Sequence, residues 1–260
     1  TGDYRSFSEL ANGLIDRYAK DSVSISLPSL RIDAFSLDLM EKVQAVRKSG
    51  LTFAPEAGTQ RLRDVINKGI TEEEILNGCA LAFSGGWTRV KLYFMVGLPT
   101  ETDEDLLGIV KLSNAIVEKF FEIPKEERKG RPISVTVSSA CFVPKPFTPF
   151  QWTAQSTVEE FMRKQKFVKT SMTRKQVKYN YHEPELSSLE GVLARGDRKV
   201  GKVLYRAWEL GAKFDSWNEL FKYDVWMQAF KDMGISKEFY ANRERSYDEI
   251  LPWDHISIGV

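Results

Sequence analysis

Residues 89–106 read RVKLYFMVGLPTETDEDL, and this stretch predicts how the chain folds. Residues 89–96 combine β-branched, aromatic and other apolar residues and give the clearest strand signal in the chain. The sequence GLPT at 97–100 turns the backbone out of that strand, and Thr102 or Asp103 is placed to cap a helix after it. The stretch therefore predicts a strand, a tight turn and a helix in succession.

This strand–helix unit repeats through the first part of the chain. Period-two alternation or short apolar runs predict further strands at 23–27, 51–54 and 133–139, with a helical pattern between each pair. Such alternation is typical of a parallel sheet, either open or closed into a barrel.

The composition changes after Thr153. Helical patterns dominate from there to the end, with one further strand candidate at 176–181. We therefore expect an α/β domain over 1–155 and a mainly helical extension over 156–260.

Small hydroxyl side chains alternate along two of the predicted strands. Ser24 and Ser26 share one strand face, and Ser134, Thr136 and Ser138 share another. A face this polar does not suit a surface covered by helices, and it fits the lumen of a barrel wide enough to hold a ligand. The alternative is a partly exposed edge strand.

Composition excludes several classes of protein. With 37 basic and 36 acidic side chains, the net charge of +1 gives no electrostatic reason to expect a nucleic acid or membrane partner. No apolar run approaches the ~18 residues of a spanning helix, so a cytoplasmic protein is expected. Two cysteines, Cys79 and Cys141, cannot by themselves supply a three- or four-thiolate metal site, and we expect no metal ligands in this chain.

Ligands of parallel α/β folds bind where strands end, so the strand exits are the candidate sites. Arg31 could hold a carboxylate or phosphate, or could instead pair with Asp33 on the surface. Glu56 could hold a ribose diol or an amine, or could instead be an acid stabilised by a helix N-terminus. Residues 97–102 form a backbone-lined turn, and the proline- and aromatic-rich loop 142–152 suits either a cover for a cavity or a structural lid.

Four segments together resemble the radical S-adenosylmethionine (radical SAM) superfamily. They are SLPSLRID at 26–33, GLTFAPEAGTQRLRDVINKGIT at 50–71, VKLYFMVGLPTETDEDL at 90–106 and FVPKPFTPFQW at 142–152. Within the superfamily the resemblance is to the Elp3/MiaB/NifB-like group, and among these to proteins with an N-terminal cobalamin-binding domain. It implies an incomplete, TIM-like (β/α)₆ barrel followed by a helical annex.

The resemblance also implies which residues contact SAM. Gly2 and Asp3 match a position that binds the methionyl amine, where relatives usually have Glu. Arg31 and Glu56 match positions that contact the SAM carboxylate or ribose. The backbone of Val96, Gly97 and Leu98 matches the adenine side of the site, and Ser138 matches the sixth strand. No catalytic residue is assigned.

The chain departs from the family in having no CxxxCxxC motif, whose three thiolates hold the [4Fe–4S] cluster. It therefore looks like the C-terminal portion of a radical SAM enzyme, inactive alone. The N-terminal portion of the same protein would supply the cluster and, where the chemistry is methylation, cobalamin. The substrate is not identified.

Two alternatives remain open at this point. The natural protein could lack the cluster and act as a SAM-pocket or scaffold module. It could also modify RNA, although the net charge of +1 argues weakly against a large phosphate footprint.

Overall fold

The structure is a computed structural model, and it describes residues 6–21, 23, 50–126, 128 and 132–259. Apart from Val23, the predicted strand at 23–27 lies outside these residues. Gly2, Asp3 and Arg31 also lie outside them.

Four strands form one sheet in the order β1-β2-β3-β4. Their bounds are β1 Leu51–Glu56, β2 Arg89–Val96, β3 Ser134–Cys141 and β4 Val177–Tyr181. The pairs β1–β2 and β3–β4 are parallel, which confirms the predicted α/β class and is consistent with a partial TIM-like barrel. Since β4 pairs with β3, the sheet continues beyond residue 155 into the part predicted as mainly helical. The domain boundary at 155 stays a prediction.

Nine α-helices complete the described residues. They are α1 Phe7–Tyr18, α2 Gln60–Val65, α3 Glu72–Ser84, α4 Asp103–Glu122, α5 Val158–Ser171, α6 Pro184–Arg195, α7 Val200–Glu209, α8 Tyr223–Asp232 and α9 Lys237–Ala241. None of them is long and apolar enough to cross a membrane.

One face of the sheet is buried because strand alternation places apolar side chains there. Phe53 of β1, Leu92 and Phe94 of β2 and Val137 of β3 are at most 1% exposed. Residues on the other face, such as Thr52, are only partly buried.

Two compact units divide the chain. The first comprises Thr1–Met95, Thr100–Ala140 and Lys166–Tyr181, and the second Val96–Pro99, Cys141–Gln165 and His182–Val260. In the first unit, α3 packs on α4, and Phe83 meets Phe120 edge to face at 5.4 Å. In the second unit, α7 packs on α8 and α6 on α9 around buried Trp226 and Phe230.

Candidate functional site

Strand β1 ends at Glu56 in an unusual backbone conformation. The φ angle of Glu56 is +67°, in the left-handed region, and the register with β2 shifts between Phe53 and Glu56. A residue with a Cβ adopts this conformation at a cost of about 1–2 kcal/mol, and such strain concentrates at functional sites. The left-handed conformation therefore sets the direction of the Glu56 side chain, and contacts elsewhere in the fold must stabilise it.

The carboxylate of Glu56 has a cationic partner. Oε1 accepts from Lys68 Nζ at 3.2 Å, and the side chain of Glu56 is 27% exposed. Helix α2 begins at Gln60 with Thr59 as its N-cap, so the alternative in which Glu56 is a helix N-terminal acid is wrong. Sequence reasoning missed Lys68, which lies 12 residues further along the chain and carries no local signal.

Asp105 clamps the loop after β1 to the start of α4. This buried carboxylate accepts the N–H and the hydroxyl of Thr102, each at 2.8 Å, and also accepts from the Thr59 hydroxyl and the Arg61 guanidinium. Burial raises the pKa of Asp105, but these hydrogen bonds outweigh it and lower the pKa to about 2. Asp105 is therefore ionised across the physiological range.

The same loop touches α4 through glycine. A Cβ added to Gly58 would lie 2.3 Å from the Asp105 carbonyl oxygen and 2.4 Å from the Ile109 nitrogen. Only glycine permits this approach. Arg61 also donates to the carbonyl of Thr100 at 2.9 Å, where φ is +66°. The loop that follows Glu56 is thus fixed to the loop that precedes α4.

Strand β3 carries the predicted hydroxyl face. Ser134 and Thr136 are partly buried and Ser138 is 8% exposed. Because β3 lies between β2 and β4, the edge-strand alternative is wrong for this strand. On its other face, Ser139 is fully buried and shares a 2.7 Å hydrogen bond with the Tyr179 hydroxyl.

In the second unit, Val96, Gly97 and Leu98 form a tight turn. Gly97 has φ +84°, and a Cβ there would lie 2.4 Å from Phe161 Cε1. The Val96 carbonyl accepts from the Phe142 N–H at 2.8 Å. These contacts fix the backbone of the turn, so its N–H and C=O groups keep one orientation.

The loop 142–152 is anchored within the second unit. Gln151 Oε1 accepts from Trp253 Nε1 at 2.7 Å, and fully buried Arg195 donates to the Thr153 carbonyl at 2.7 Å just beyond the loop. Lys145 pairs with Glu190 of α6. These contacts support the structural-lid interpretation of this loop.

Both cysteines are poor cluster ligands. Cys79 is fully buried, and Cys141 is 6% exposed. Desolvation raises the pKa of each thiol to about 12, so neither is a thiolate at neutral pH. The described residues contain no group of three or more His, Cys, Asp or Glu that could hold a metal ion. Among the described residues, neither cysteine therefore suits a [4Fe–4S] cluster as a ligand.

The residues predicted to bind SAM are distributed as follows. Glu56 and Ser138 lie in the first unit, whereas the turn 96–98 lies in the second. A carboxylate at a strand exit and a backbone-lined turn are the kinds of group that bind a ribose and an adenine edge. Their roles toward SAM stay predictions.

The chain is similar in sequence to known proteins. The family model of the Radical SAM superfamily matches residues 1–113. The chain is 35% identical over 240 residues to an uncharacterised protein of Methanocaldococcus jannaschii, covering 91% of this chain and 48% of that protein. The chain thus spans about half the length of the curated relative that it matches. The family implies SAM and a [4Fe–4S] cluster as cofactors. Residues 1–113 of this chain are therefore similar to the radical SAM superfamily.

Proposed function

We propose that this chain is the SAM-binding C-terminal portion of a radical SAM enzyme, whose cluster is bound by another segment of the same protein. The match over residues 1–113 carries this proposal, because it covers strand β1, which ends at Glu56, and the turn after β2 that contains Gly97. The 48% coverage of the archaeal relative leaves room for a segment that carries the cluster ligands.

The proposed role of this chain is to bind and orient SAM. Glu56 binds the ribose hydroxyls or the amine, and the backbone of the turn 96–98 accepts the adenine edge. Arg31 binds the SAM carboxylate or the ribose, Gly2 and Asp3 bind the methionyl amine, and Ser138 contributes a hydroxyl.

The chemistry itself belongs to the whole protein. In the family, the cluster supplies the electron that splits SAM and yields a 5′-deoxyadenosyl radical. We further propose that the whole protein falls within the Elp3/MiaB/NifB-like group and that cobalamin-dependent methylation is its reaction. This rests on the motif series at 26–33, 50–71, 90–106 and 142–152.

The SAM-binding role is tested with the full-length, cluster-reconstituted protein. Glu56→Gln is expected to raise the KM for SAM about tenfold or more, since a charge-assisted hydrogen bond contributes about 1.5–3 kcal/mol. Glu73→Gln, at an exposed acid in the first turn of α3, is the matched control and leaves KM unchanged. Equal KM values for the two variants would contradict the role of Glu56.

The second candidate is a cluster-less SAM-binding or scaffold module, favoured by the two buried, protonated cysteines. Equilibrium dialysis of labelled SAM against the iron-free full-length protein distinguishes this module from the enzyme. The module binds SAM, or a protein partner, without iron. An RNA-modifying role gains no support from the balanced charge, and filter binding over a salt series tests it.

A further inference from the structure

The face of the sheet opposite the buried one is polar and cationic. We call it the cationic sheet face, and it comprises Thr52, Arg89, Lys91, Ser134, Thr136 and Lys178. On each strand these residues alternate with residues of the opposite face. Arg89 and Lys178 are exposed, and the other four are partly buried. By the same alternation Ala54, Tyr93, Met95 and Ala140 lie further along this face, so the cations and hydroxyls are concentrated toward the beginnings of the strands.

The register brings the cations into neighbouring rows. Thr52 pairs with Lys91 across β1 and β2, and Thr136 pairs with Lys178 across β3 and β4. The Ser134 N–H donates to the Thr88 carbonyl at 2.8 Å, which aligns β3 beside β2. Lys91 and Lys178 therefore flank Thr136 on one face.

Neither lysine has a carboxylate partner among the described residues. Lys91 lies on an interior strand and is partly buried, and its Nζ lies 4.6 Å from the centre of the Tyr93 ring. A partly buried ammonium without a counter-charge is unfavourable, and an anion removes that penalty. The nearest acid along β1, Glu56, is already paired with Lys68.

From these observations we infer that the cationic sheet face binds the substrate, and that the substrate is a small molecule with a carboxylate or phosphate held by Lys91 and Lys178. The substrate assignment rests on the proposed function. Glu56 pairs with Phe94, three residues along β2 from Lys91, so the backbone of Glu56 lies about 10 Å further along the sheet than that of Lys91.

Lysine labelling of this chain tests the anion site without SAM chemistry. Pyridoxal phosphate condenses with an amine to an imine with loss of water, and borohydride reduces the imine to a stable amine that peptide mapping locates. Lys91 and Lys178 are expected to label at least about fivefold faster than Lys166, an exposed lysine of α5. Inorganic pyrophosphate or citrate should protect them, and which of the two protects distinguishes phosphate from carboxylate.

Binding of the protecting anion is then measured by calorimetry. Lys91→Gln and Lys178→Gln should each weaken it about tenfold, and the matched control Lys166→Gln should not. Labelling at the rate of Lys166, or protection by SAM but by neither anion, overturns the inference. If both anion results hold while the full-length protein fails to cleave SAM, the anion site stands and the proposed function falls.

Discussion

The contact made by Asp105 gives a sharp test of how the loop after β1 is held. Replacing Asp105 with Asn keeps the shape of the side chain but removes its charge and one acceptor oxygen. The carboxylate faces four donors, with the Thr59 hydroxyl at Oδ1 and the donors of Arg61 and Thr102 at Oδ2. The amide can turn its NH₂ toward the Thr59 hydroxyl, which rotates to accept, but its neutral oxygen then replaces a charged acceptor for Arg61 and Thr102.

The magnitude follows from the pKa of Asp105. Lowering that pKa from 3.8 to about 2 corresponds to about 2 kcal/mol, at about 1.4 kcal/mol for each tenfold change in proton affinity. Since the folded pKa is depressed, this stability is present above pH ~4 and is lost as the pH falls toward 2. Asp105→Asn is therefore expected to destabilise the first unit by about 2–3 kcal/mol at pH 7.

Hydrogen exchange is the assay, because it reports the opening free energy of individual segments. Peptides covering 57–62 and 100–106 should lose protection in Asp105→Asn. Asp64→Asn is the matched control, since its exposed carboxylate accepts a 2.8 Å bond from the side chain of partly buried Gln60, and it should change the opening free energy by less than about 0.5 kcal/mol. Equal protection in the two variants at pH 7 would refute the reasoning. So would an opening free energy of the wild-type protein that stays constant when the pH is lowered from 4 toward 2.

Three further predictions concern packing and reactivity. Gly58→Ala should destabilise the first unit by more than about 2 kcal/mol in urea unfolding because its Cβ meets backbone, whereas Gly201→Ala in α7, with nothing within 4 Å, should be neutral or stabilising. The thiols of Cys79 and Cys141 should react with Ellman's reagent at pH 8 far more slowly in the folded protein than in denaturant, because burial raises each pKa to about 12; equal rates would contradict this. Arg195→Met should lower the unfolding temperature of the second unit by several degrees, because three backbone carbonyls of Gln151, Thr153 and Ala241 lose a buried donor, and an unchanged melting curve would count against that role.

Local features of the fold were predictable from the sequence. Strand β2 matches its predicted bounds, and the capping box that Thr71 and Glu74 form at the start of α3 has an equally local pattern, since alternation and capping depend on neighbours within a few residues. Strand β3 begins and ends slightly later than predicted, at Ser134 and Cys141.

Features that depend on distant residues were not predictable. Asp105 meets Thr59 and Arg61 across more than 40 residues of sequence, and nothing in TETDED distinguishes it from an ordinary first-turn acid. The left-handed conformation of Glu56 and the close contact of Gly58 with α4 are likewise shown only by the folded chain.

Strand β4 was harder to assign than the other strands because its alternation is weak. Val177 and Tyr179 are only partly buried and the other three residues are exposed. Its place in the sheet comes from pairing with β3, a contact across about 40 residues that short-range patterns do not report.

The most direct test of the central claim is the formation of 5′-deoxyadenosine. The full-length protein, reconstituted with iron and sulfide under anaerobic conditions, is incubated with SAM and dithionite, and the product is quantified by mass spectrometry. We predict at least one equivalent of 5′-deoxyadenosine per cluster, and none from the 260-residue chain alone. A full-length protein that binds no cluster and yields no 5′-deoxyadenosine would contradict the claim that this chain is part of a radical SAM enzyme.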